Sequence, residues 1–412
     1  MELKNSEYYI QNFTVKSLSE KYGTPLYVYD TEQIKKNYTR LTSAFKSTNL
    51  KIKYASKALS NLNILRFIKS IGSGLDTVSL NEVQLGLKAG FSPQEIIYTP
   101  NCVAFDEIKQ AVDLGVKINI DNISILEQFG HQIGDKYPIC IRINPHIMAG
   151  GHHQISTGHM DSKFGISIFQ MRHVERVIAS TGLHIEGLHM HTGSDILDVG
   201  VFMQASEILF ETAMKFKQLQ YLDFGSGFKV KYKPDDKETD VEQLGEKLTV
   251  AFNQFCKEYG KELELWFEPG KFIVSNAGYF LVKVNVVKQT VATVFAGVNS
   301  GFNHLIRPMF YDSYHHIINI MNPPGTEQSP ERIYTVVGNI CETDTFAWDR
   351  SINEIIEGDI LCFLNAGAYG FEMASNYNSQ SRPAEVMISN GKDFLIRKRE
   401  SLEDLMKNVI EV

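Results

Sequence analysis

Short apolar runs that stop at polar or glycine residues recur along the first two-thirds of the chain. Segments with helical spacing of apolar residues separate them, as at 79–89, 105–114 and 201–219. Eight alternations of strand and helix predict a parallel sheet, and eight such units in about 250 residues suit a closed (β/α)8 barrel of the TIM type. A doubly wound open sheet is the structural alternative. The predicted strands are 52–56, 74–78, 96–99, 116–120, 139–143, 185–191, 221–224 and 263–267.

Beyond residue 270 the apolar and polar residues alternate, as in the segment 278–288. Strand-like runs separated by turn signals predict an antiparallel β domain, either a sandwich or a barrel. The strand-like segment 25–29 is expected to pair with that domain. We therefore predict a barrel domain at 33–278 and a β domain made of 1–32 plus 279–412. The further predicted strands are 291–298, 333–337, 360–364, 385–388 and 394–397.

The composition narrows the class of protein. The chain has 412 residues, of which 43% are hydrophobic and 22% charged, as in ordinary globular proteins with more than one domain. A net charge of -7 argues against a nucleic-acid surface. No apolar run approaches the length of a membrane span, and the N-terminal residues lack the apolar stretch of a signal peptide. Five scattered cysteines without a C-x-x-C pair suit a reducing compartment, so we expect a cytoplasmic location.

Polar residues stand at the ends of several predicted barrel strands, where a barrel of this kind forms its active face. The first strand ends at Lys57, the second contains Asp76 and the sixth ends at His191. A lysine at the end of a buried strand is costly unless its charge is used or paired. Position alone still favours an ordinary surface lysine, because most lysines are solvated. His191 could stack on a cofactor ring or could be a plain polar residue at a strand end.

The seventh and eighth strands end in features that suit a bound cofactor. The small residues Gly225, Ser226 and Gly227 would let backbone N–H groups approach a phosphate, although a simple turn has the same composition. They do not form a dinucleotide fingerprint, which needs a third glycine. Glu268 follows the eighth strand. A carboxylate facing a pyridine nitrogen keeps it protonated and makes the ring an electron sink, but a surface acid at a turn is the alternative.

Three segments of the predicted β domain also carry candidate chemistry. Arg307 and Tyr311 are four residues apart, Cys341 precedes Glu342, and Tyr369 lies in a glycine-rich loop. The corresponding structural alternatives are a salt bridge, a small buried hydrophobic residue and a core tyrosine.

Two pairs of adjacent histidines, at 152–153 and 315–316, raise the question of a metal site. Neighbouring side chains in a strand point to opposite faces, and no ligand pattern with zinc spacing accompanies either pair. We therefore predict no metal.

Eight motifs along the chain, taken together, resemble those of the diaminopimelate decarboxylases. These are pyridoxal-phosphate (PLP) decarboxylases of the alanine-racemase-like fold class. Each motif is modestly specific, but their common order and spacing over nearly the whole chain are highly specific. The motifs are YASKA at 54–58, GSGLDTVS at 72–79, SKFGI at 162–166, HMHTGS at 189–194, EPGK at 268–271, LIRP at 305–308, ICET at 340–343 and NYNS at 376–379.

The resemblance implies a PLP site on the barrel. Lys57 would form a Schiff base with PLP, and His191 would stack on the ring. Glu268 would face the pyridine nitrogen, and Asp76 would belong to the same cofactor site. The remaining cofactor contacts, mainly to the phosphate, would come from Ser194, Gly225, Ser226, Gly227, Pro269, Gly270, Lys271 and Tyr369.

The resemblance also implies a substrate and a partner. Arg307, Tyr311, Lys271 and Tyr369 would bind the amino-acid substrate. Cys341 would act in proton transfer, and Glu342 would bind the distal amino group. Both would come from a second subunit, so a homodimer with shared active sites is implied. The implied reaction is decarboxylation of meso-2,6-diaminopimelate at its D-centre to L-lysine and CO2, the last step of lysine biosynthesis.

Several alternatives and departures accompany this interpretation. A related decarboxylase acting on ornithine, arginine or a carboxylated polyamine is the nearest alternative. An amino-acid racemase, a non-catalytic PLP carrier and a lysine-dependent aldolase are more distant ones. The chain departs from the family pattern at Ser226, where glycine is usual, and at Lys271 and Gln380, where arginine is usual. Lysine keeps the charge of arginine but loses its two-pronged hydrogen bonding.

Overall fold

The computed structural model describes residues 1–147, 162–325 and 330–412. In chain order, the strands within these residues are β1 (Glu2–Lys4), β2 (Glu7–Ile10), β3 (Phe13–Thr14), β4 (Leu26–Asp30), β5 (Asn49–Ala55), β6 (Gly74–Thr77), β7 (Ile96–Tyr98), β8 (Lys117–Ile120), β9 (Ile139–Asn144), β10 (Ile166–Ser167), β11 (Ile185–Met190), β12 (Tyr221–Asp223), β13 (Glu264–Phe267), β14 (Gly278–Gln289), β15 (Val294–Val298), β16 (Ile317–Asn319), β17 (Glu331–Val337), β18 (Thr345–Asn353), β19 (Ile360–Phe363), β20 (Ala384–Ser389) and β21 (Lys392–Arg397).

Most helices of the same residues connect these strands, and the last one follows β21. They are α1 (Val15–Tyr22), α2 (Thr31–Ala44), α3 (Leu62–Ser70), α4 (Leu80–Ala89), α5 (Phe105–Asp113), α6 (Ile123–Gln132), α7 (Met171–Thr181), α8 (Val199–Ala213), α9 (Val241–Tyr259), α10 (Lys271–Val274), α11 (Arg307–Tyr311) and α12 (Leu402–Met406).

The chain divides into two compact units. The barrel unit consists of Asn37–Val230 and Lys237–Phe272, and the β unit consists of Met1–Lys36, Lys231–Asp236 and Ile273–Val412.

The barrel unit contains a closed parallel barrel, as the sequence predicts. Eight strands pair in the order β9, β11, β12, β13, β5, β6, β7 and β8, and the pairing of β8 with β9 closes the ring. The short β10 adds a parallel pairing to β9. All six residues of β9 and all six of β11 are buried, including the polar residues Arg142, Asn144, Glu186 and His189.

Side-chain caps begin two of the barrel helices, α4 and α6, directly after their strands. The side chain of Ser79 accepts a hydrogen bond from the backbone N–H of Glu82 at the start of α4. Asn122 does the same for Ile125 at the start of α6. Because these caps satisfy the first orphan N–H groups, β6 and β8 turn at once into their helices and leave their last residues at the C-terminal end of the barrel.

The β unit corrects one feature of the prediction. Its nine-stranded sheet is mixed rather than antiparallel, because β15 pairs with β17 in parallel and β4 pairs with β20 in parallel. Hairpins join neighbouring strands in antiparallel order, but a long connection allows parallel pairing. The whole barrel separates β4 from β20, and α11 and β16 lie between β15 and β17.

The N-terminal strand pairs with C-terminal strands, as predicted. β4 is antiparallel to β14 through partners such as Leu26 and Leu281. The small antiparallel sheet of β1, β2 and β3 and the strands β16 and β18 were not predicted.

Three other features bear on the sequence-based expectations. All five cysteines are free thiols. None of the helices in the described part of the chain combines the length and the apolar character needed to span a bilayer. The histidine pair at 152–153 lies outside the described residues.

Candidate active site

Lys57 lies at the C-terminal end of the barrel, in a short 3-10 turn that directly follows β5. Its ammonium Nζ is 3.2 Å from Oδ2 of Asp76 on the neighbouring strand β6. The Lys57 side chain is 44% exposed, whereas that of Asp76 is buried. Burial and the charge of Glu268 raise the pKa of Asp76 to about 7, although Lys57 opposes the shift. The lysine therefore has a buried acidic partner and an accessible amine.

Glu268 follows β13 and lies in a buried polar cluster with two other side chains. Its Oε2 is 3.0 Å from Nε2 of His189, and its backbone N–H donates to the carbonyl of Gly225 at 2.6 Å. His189, Asp223 and Glu268 each offer an atom within 4.8 Å of the others. His189 and Asp223 are direct partners in the pairing of β11 with β12, so the barrel register holds them side by side.

The charges in this cluster are distributed unequally. Burial alone would raise the pKa of Glu268, but the contacts with His189, Lys57 and Asp223 lower it to about 2. Burial and the Glu268 charge raise the pKa of Asp223 well above its usual range. Burial also lowers the pKa of His189, so its imidazole is neutral and donates to the ionised Glu268. The cluster therefore favours the protonated form of Asp223, and Glu268 holds a negative charge at neutral pH.

His191 directly follows β11 and contacts the glycine-rich turn after β12. The backbone N–H of Ser226 donates to Nδ1 of His191 at 3.2 Å. Burial and the nearby cations Arg142 and Lys57 lower the pKa of His191 well below its usual value, so the ring is neutral. Gly225 has φ +60°, and a Cβ added there would lie 2.7 Å from this ring nitrogen. Only glycine fits this close approach.

A second close approach shapes the same turn. Gly227 has φ +108°, and a Cβ there would lie 2.3 Å from the carbonyl oxygen of Gly193. Ser226 between the two glycines is almost fully buried, and Ser194 is half-buried beside Gly193. The two glycine-containing loops thus form a narrow backbone cradle at the strand ends.

The turn after Glu268 completes this end of the barrel unit. The carbonyl of Pro269 accepts a hydrogen bond from the N–H of Ala55, and a Cβ on Gly270 would lie 3.0 Å from that of Ala58. Lys271 begins the short helix α10, and its Nζ is 2.6 Å from Oδ1 of Asp195. This ion pair is largely buried, so Lys271 is held by a carboxylate of the same unit.

In the β unit, Arg307 lies among three tyrosine rings. Its guanidinium carbon is 5.9 Å from the ring centre of Tyr232 and 5.7 Å from those of both Tyr311 and Tyr369. One terminal nitrogen donates to the hydroxyls of Tyr232 and Ser313, each at 3.3 Å, while the buried Nε finds no hydrogen-bond partner among the described residues. The structure thus brings together three residues that the sequence singled out, in a cationic and aromatic cluster.

Cys341 and Glu342 lie on an exposed loop of the β unit. Asn378 clamps this loop, because it accepts from the Cys341 N–H at 3.0 Å and its amide nitrogen is 3.2 Å from Sγ of Cys341. The hydroxyl of Tyr377 donates to the carboxylate of Glu342. Thiol and carboxylate are therefore presented together at the surface.

Sequence reasoning did not select His189, Asp223 or Asp195 as site residues. A signal for the first two was present, since both are polar residues inside otherwise apolar strands. The same signal marks Arg142 on β9, which pairs with His189 in the register and is buried. Asp195 carried no such signal, because it lies in a loop and meets Lys271 only through the fold.

One group of side chains has the spacing that a metal ion would need. Within the described residues, His189, Asp223 and Glu268 are the group whose atoms lie close enough together to hold an ion. The hydrogen bond between His189 and Glu268 already uses one atom of each. His315 is buried and contacts the carbonyl of Leu364 through Nδ1, as a structural histidine does.

Comparison with known proteins defines the class first. Residues 31–275 match the family model of the pyridoxal-dependent decarboxylase, pyridoxal binding domain. A diaminopimelate decarboxylase of Methanothermobacter thermautotrophicus is 41% identical over 399 residues, 95% of this chain and 92% of the relative. One from Aquifex aeolicus is 35% identical, over 100% of this chain and 98% of the relative.

Solved structures agree with these relatives. A crystal structure of diaminopimelate decarboxylase from Methanocaldococcus jannaschii superposes with a TM-score of 0.91 at 30% identity, covering 100% of this chain and 98% of that one. The chain belongs to the diaminopimelate decarboxylases, a family of PLP-dependent decarboxylases.

The residues at the C-terminal end of the barrel fit PLP. Oε1 of the ionised Glu268 is buried and accepts from no N–H group of the described residues, as an acceptor for a protonated pyridine nitrogen would. Gly225 and Gly227 form a cradle that any Cβ would fill. The neutral His191 offers a flat ring between that cradle and the strand ends. The Glu268 carboxylate, the glycine cradle and the His191 ring together therefore suit a ligand that has an aromatic ring with a basic nitrogen and a phosphate.

Proposed function

We propose that this chain decarboxylates meso-2,6-diaminopimelate at its D-centre, giving L-lysine and CO2 in the last step of lysine biosynthesis. The observation that carries the proposal is the buried, ionised Glu268 on the same barrel end as the accessible amine of Lys57. A relative from Methanocaldococcus jannaschii has been solved in complex with L-lysine, which supports the assignment of the product.

Bound PLP supplies an aldehyde for the lysine amine and a ring that accepts the electron pair left when CO2 departs. In our proposal Lys57 holds that aldehyde and Asp76 orients the Lys57 ammonium. Glu268 holds a proton on the ring nitrogen, and His189 keeps the Glu268 carboxylate ionised and in place. His191 orients the ring by stacking.

The phosphate contacts would come from backbone N–H groups and small side chains. We assign them to Ser194, to Ser226 with its flanking glycines, and to the turn at Pro269 and Gly270. The Lys271 ammonium would approach the phosphate and the substrate as a point charge, because lysine lacks the two-pronged hydrogen bonding of arginine. Asp195 already occupies one side of this ammonium.

The β unit would bind the substrate. The cationic Arg307, with Tyr311 and Tyr369, suits a carboxylate at the end of the substrate that does not react. Glu342 would bind the distal ammonium, so a substrate lacking that group would leave the Glu342 charge unpaired. Cys341 would deliver the proton that replaces the lost carboxylate.

The proposal includes a homodimer in which Cys341 and Glu342 serve the active site of the partner subunit. Complementation tests it. Lys57→Ala and Cys341→Ala are each expected to be nearly inactive, and a refolded equal mixture should recover about one quarter of wild-type activity. Half of the dimers would be mixed, and each mixed dimer would have one intact site. No recovery, in a mixture shown to exchange subunits, would mean that each site lies within one chain.

The reaction itself is tested by measuring CO2 and L-lysine from meso-diaminopimelate, with and without PLP. We expect PLP-dependent release of both products in equal amounts. Ornithine, arginine and a carboxylated polyamine serve as competing substrates. A higher kcat/KM for any of them would replace the proposed substrate.

The role of Glu342 has a separate test. Glu342→Ala should reduce kcat/KM for diaminopimelate by about 10²-fold or more while the affinity for PLP stays within about twofold. Equal losses in both would reject a role in substrate recognition. Glu354→Ala is the matched control, because Glu354 is a surface carboxylate of the same unit that pairs with Arg332.

A further inference from the structure

A cavity lies at the N-terminal end of the barrel strands, opposite the candidate active site. It has a volume of about 690 Å³ and belongs entirely to the barrel unit. Its walls come from the first residues of several strands rather than from their last ones. The residues that line it include Lys51, Lys53, Lys117, Glu264, Tyr221 and Trp266.

Two stacked aromatic rings form one wall of this cavity. Tyr221 on β12 and Trp266 on β13 are parallel within 4°, and their ring centres are 3.6 Å apart. A Cβ on Gly187 of the adjacent β11 would lie 2.3 Å from the Tyr221 ring. A glycine at this position therefore makes room for the stack inside the barrel.

Lys53 on β5 lies against this wall. The residue is only 6% exposed, and its Nζ is 4.3 Å from the centre of the Trp266 ring. It donates to the backbone carbonyl of Glu95 at 3.1 Å. A Cβ on Gly74 of the adjacent β6 would lie 2.7 Å from Cδ of Lys53, so a second glycine makes room for the lysine. The barrel is built around this side chain.

The other lysines of the cavity have carboxylate partners. Nζ of Lys117 is 2.7 Å from Glu186, and Nζ of Lys51 is 3.9 Å from Glu264. Among the ion pairs of the described residues, none within 4.0 Å includes Lys53. Its ammonium is thus buried without a neutralising contact, which is a costly arrangement for a charged amine.

The surroundings of Lys53 favour the uncharged amine. Burial and the Lys117 ammonium lower the pKa of Lys53 to about 8, against the weaker opposing effects of Glu264, Asp223 and Glu95. A substantial fraction of this amine is therefore unprotonated and nucleophilic near pH 8.

We propose that Lys53 forms a reversible carbamate with CO2 in this cavity. The lone pair of Nζ bonds to the carbon of CO2, and one pair of C=O electrons moves onto oxygen. An N–H proton leaves to solvent, so atoms and charge balance without an oxidant or reductant. Dissolved bicarbonate supplies enough CO2 for this step. If the proposed function holds, the decarboxylation reaction of the chain also releases CO2.

The Lys117 ammonium favours the modification, whereas the weaker effects of Glu264, Asp223 and Glu95 oppose it. It repels the Lys53 ammonium but attracts a carbamate on the same nitrogen, so the sign of the largest charge interaction reverses on modification. The cavity also gives the two added oxygens space beside the aromatic wall. This site lies at the other end of the strands from Lys57 and requires no PLP.

Carbon-13 NMR of the holoenzyme with [13C]bicarbonate at pH 8.5 tests the proposal without any decarboxylase activity. We expect a protein-bound carbamate signal that falls as the pH drops below about 8 and that disappears in CO2-free buffer. Trapping with triethyloxonium and peptide mass analysis should place the modification on Lys53.

Three variants make the test decisive. Lys53→Met and Lys53→Arg should each lose one carbamate carbon per chain. Lys51→Met is the matched control, because Lys51 lines the same cavity but is half exposed and paired with Glu264, and it should keep the signal. The absorbance of bound PLP shows that each variant has folded. Identical spectra for the wild type and both Lys53 variants would overturn the proposal.

Discussion

Lys53 and Lys57 lie four residues apart in the same part of the chain, yet they meet opposite conditions. Lys57 is past the end of β5, is 44% exposed and lies 3.2 Å from the Asp76 carboxylate. Lys53 is inside the strand, is buried on an indole ring and has no carboxylate within ion-pair distance in the described chain. The comparison teaches that the end of the barrel, rather than the residue type, determines what a lysine can do.

The largest contrast should come from removing each amine in turn. Lys57→Ala should lower kcat by about 10³-fold or more, as loss of a covalent catalytic group does. It should also abolish the absorbance of the lysine-bound cofactor. Lys53→Arg is the control and should keep both. A chromophore that survives in Lys57→Ala and can be trapped with borohydride would contradict the assignment of Lys57.

The two ends of β13 offer the next contrast. Glu268→Gln should lower kcat by about 10²- to 10³-fold, because a preorganised charge at the reacting group is lost. Glu264 lies at the other end of the same strand, away from the candidate active site. The kcat of Glu264→Gln should therefore stay within about twofold of the wild-type value. Steady-state kinetics with saturating PLP distinguishes the two. Similar losses in both variants would show that the strand, and not the Glu268 carboxylate, is what matters.

The pH dependence of the free energy of unfolding should test the properties of Lys53, at the N-terminal end of the barrel strands. Burial lowers the pKa of Lys53 from 10.5 to about 8 on folding. The folded chain releases this proton before the unfolded chain does, so wild-type stability rises with pH between about 8 and 10.5. In CO2-free buffer Lys53→Met should be more stable than wild type at pH 7, by on the order of 3 kcal/mol.

This advantage should shrink to about 1 kcal/mol at pH 10, where the wild-type amine is already neutral in the folded chain. Urea unfolding at the two pH values measures it. An advantage that does not change with pH would show that Lys53 is not destabilised by its charge. Lys51→Met again serves as the control.

The smallest effect is expected at Asp223. Because burial and the Glu268 charge favour the protonated form of Asp223, the neutral amide in Asp223→Asn should replace it as a donor to Glu268. We expect kcat within about threefold of wild type, whereas Asp223→Leu, which removes the donor, should cost about tenfold or more. A large loss in Asp223→Asn would mean that Asp223 works as a carboxylate.

The sequence allowed the barrel and its candidate active end to be predicted, because eight short, mainly apolar runs alternate with helical segments and end near residues such as Lys57 and Glu268. Pairings across distant segments were not predictable. The parallel pairing of β4 with β20 depends on strands that are far apart in the chain, and no local pattern encodes its direction.

The electrostatics of the site were also beyond the sequence. Nothing local shows that His189 donates to Glu268, that burial raises the pKa of Asp223, or that Asp195 pairs with Lys271. Lys53 appears in the sequence as one more lysine of an apolar run. Its burial follows from Gly74 and Trp266 on two other strands, which only the closed barrel brings to it.

The position of β4 between β14 and β20 has a consequence for the order in which the chain can be made. During synthesis β4 leaves the ribosome early, but its two partner strands follow only after the entire barrel has been translated. The barrel strands meet mostly sequence neighbours and can assemble first, whereas the β sheet must wait for nearly the last residues. A chain that stops before Ala384 would leave one edge of β4 unpaired, and nascent chains of that length are where aggregation should begin.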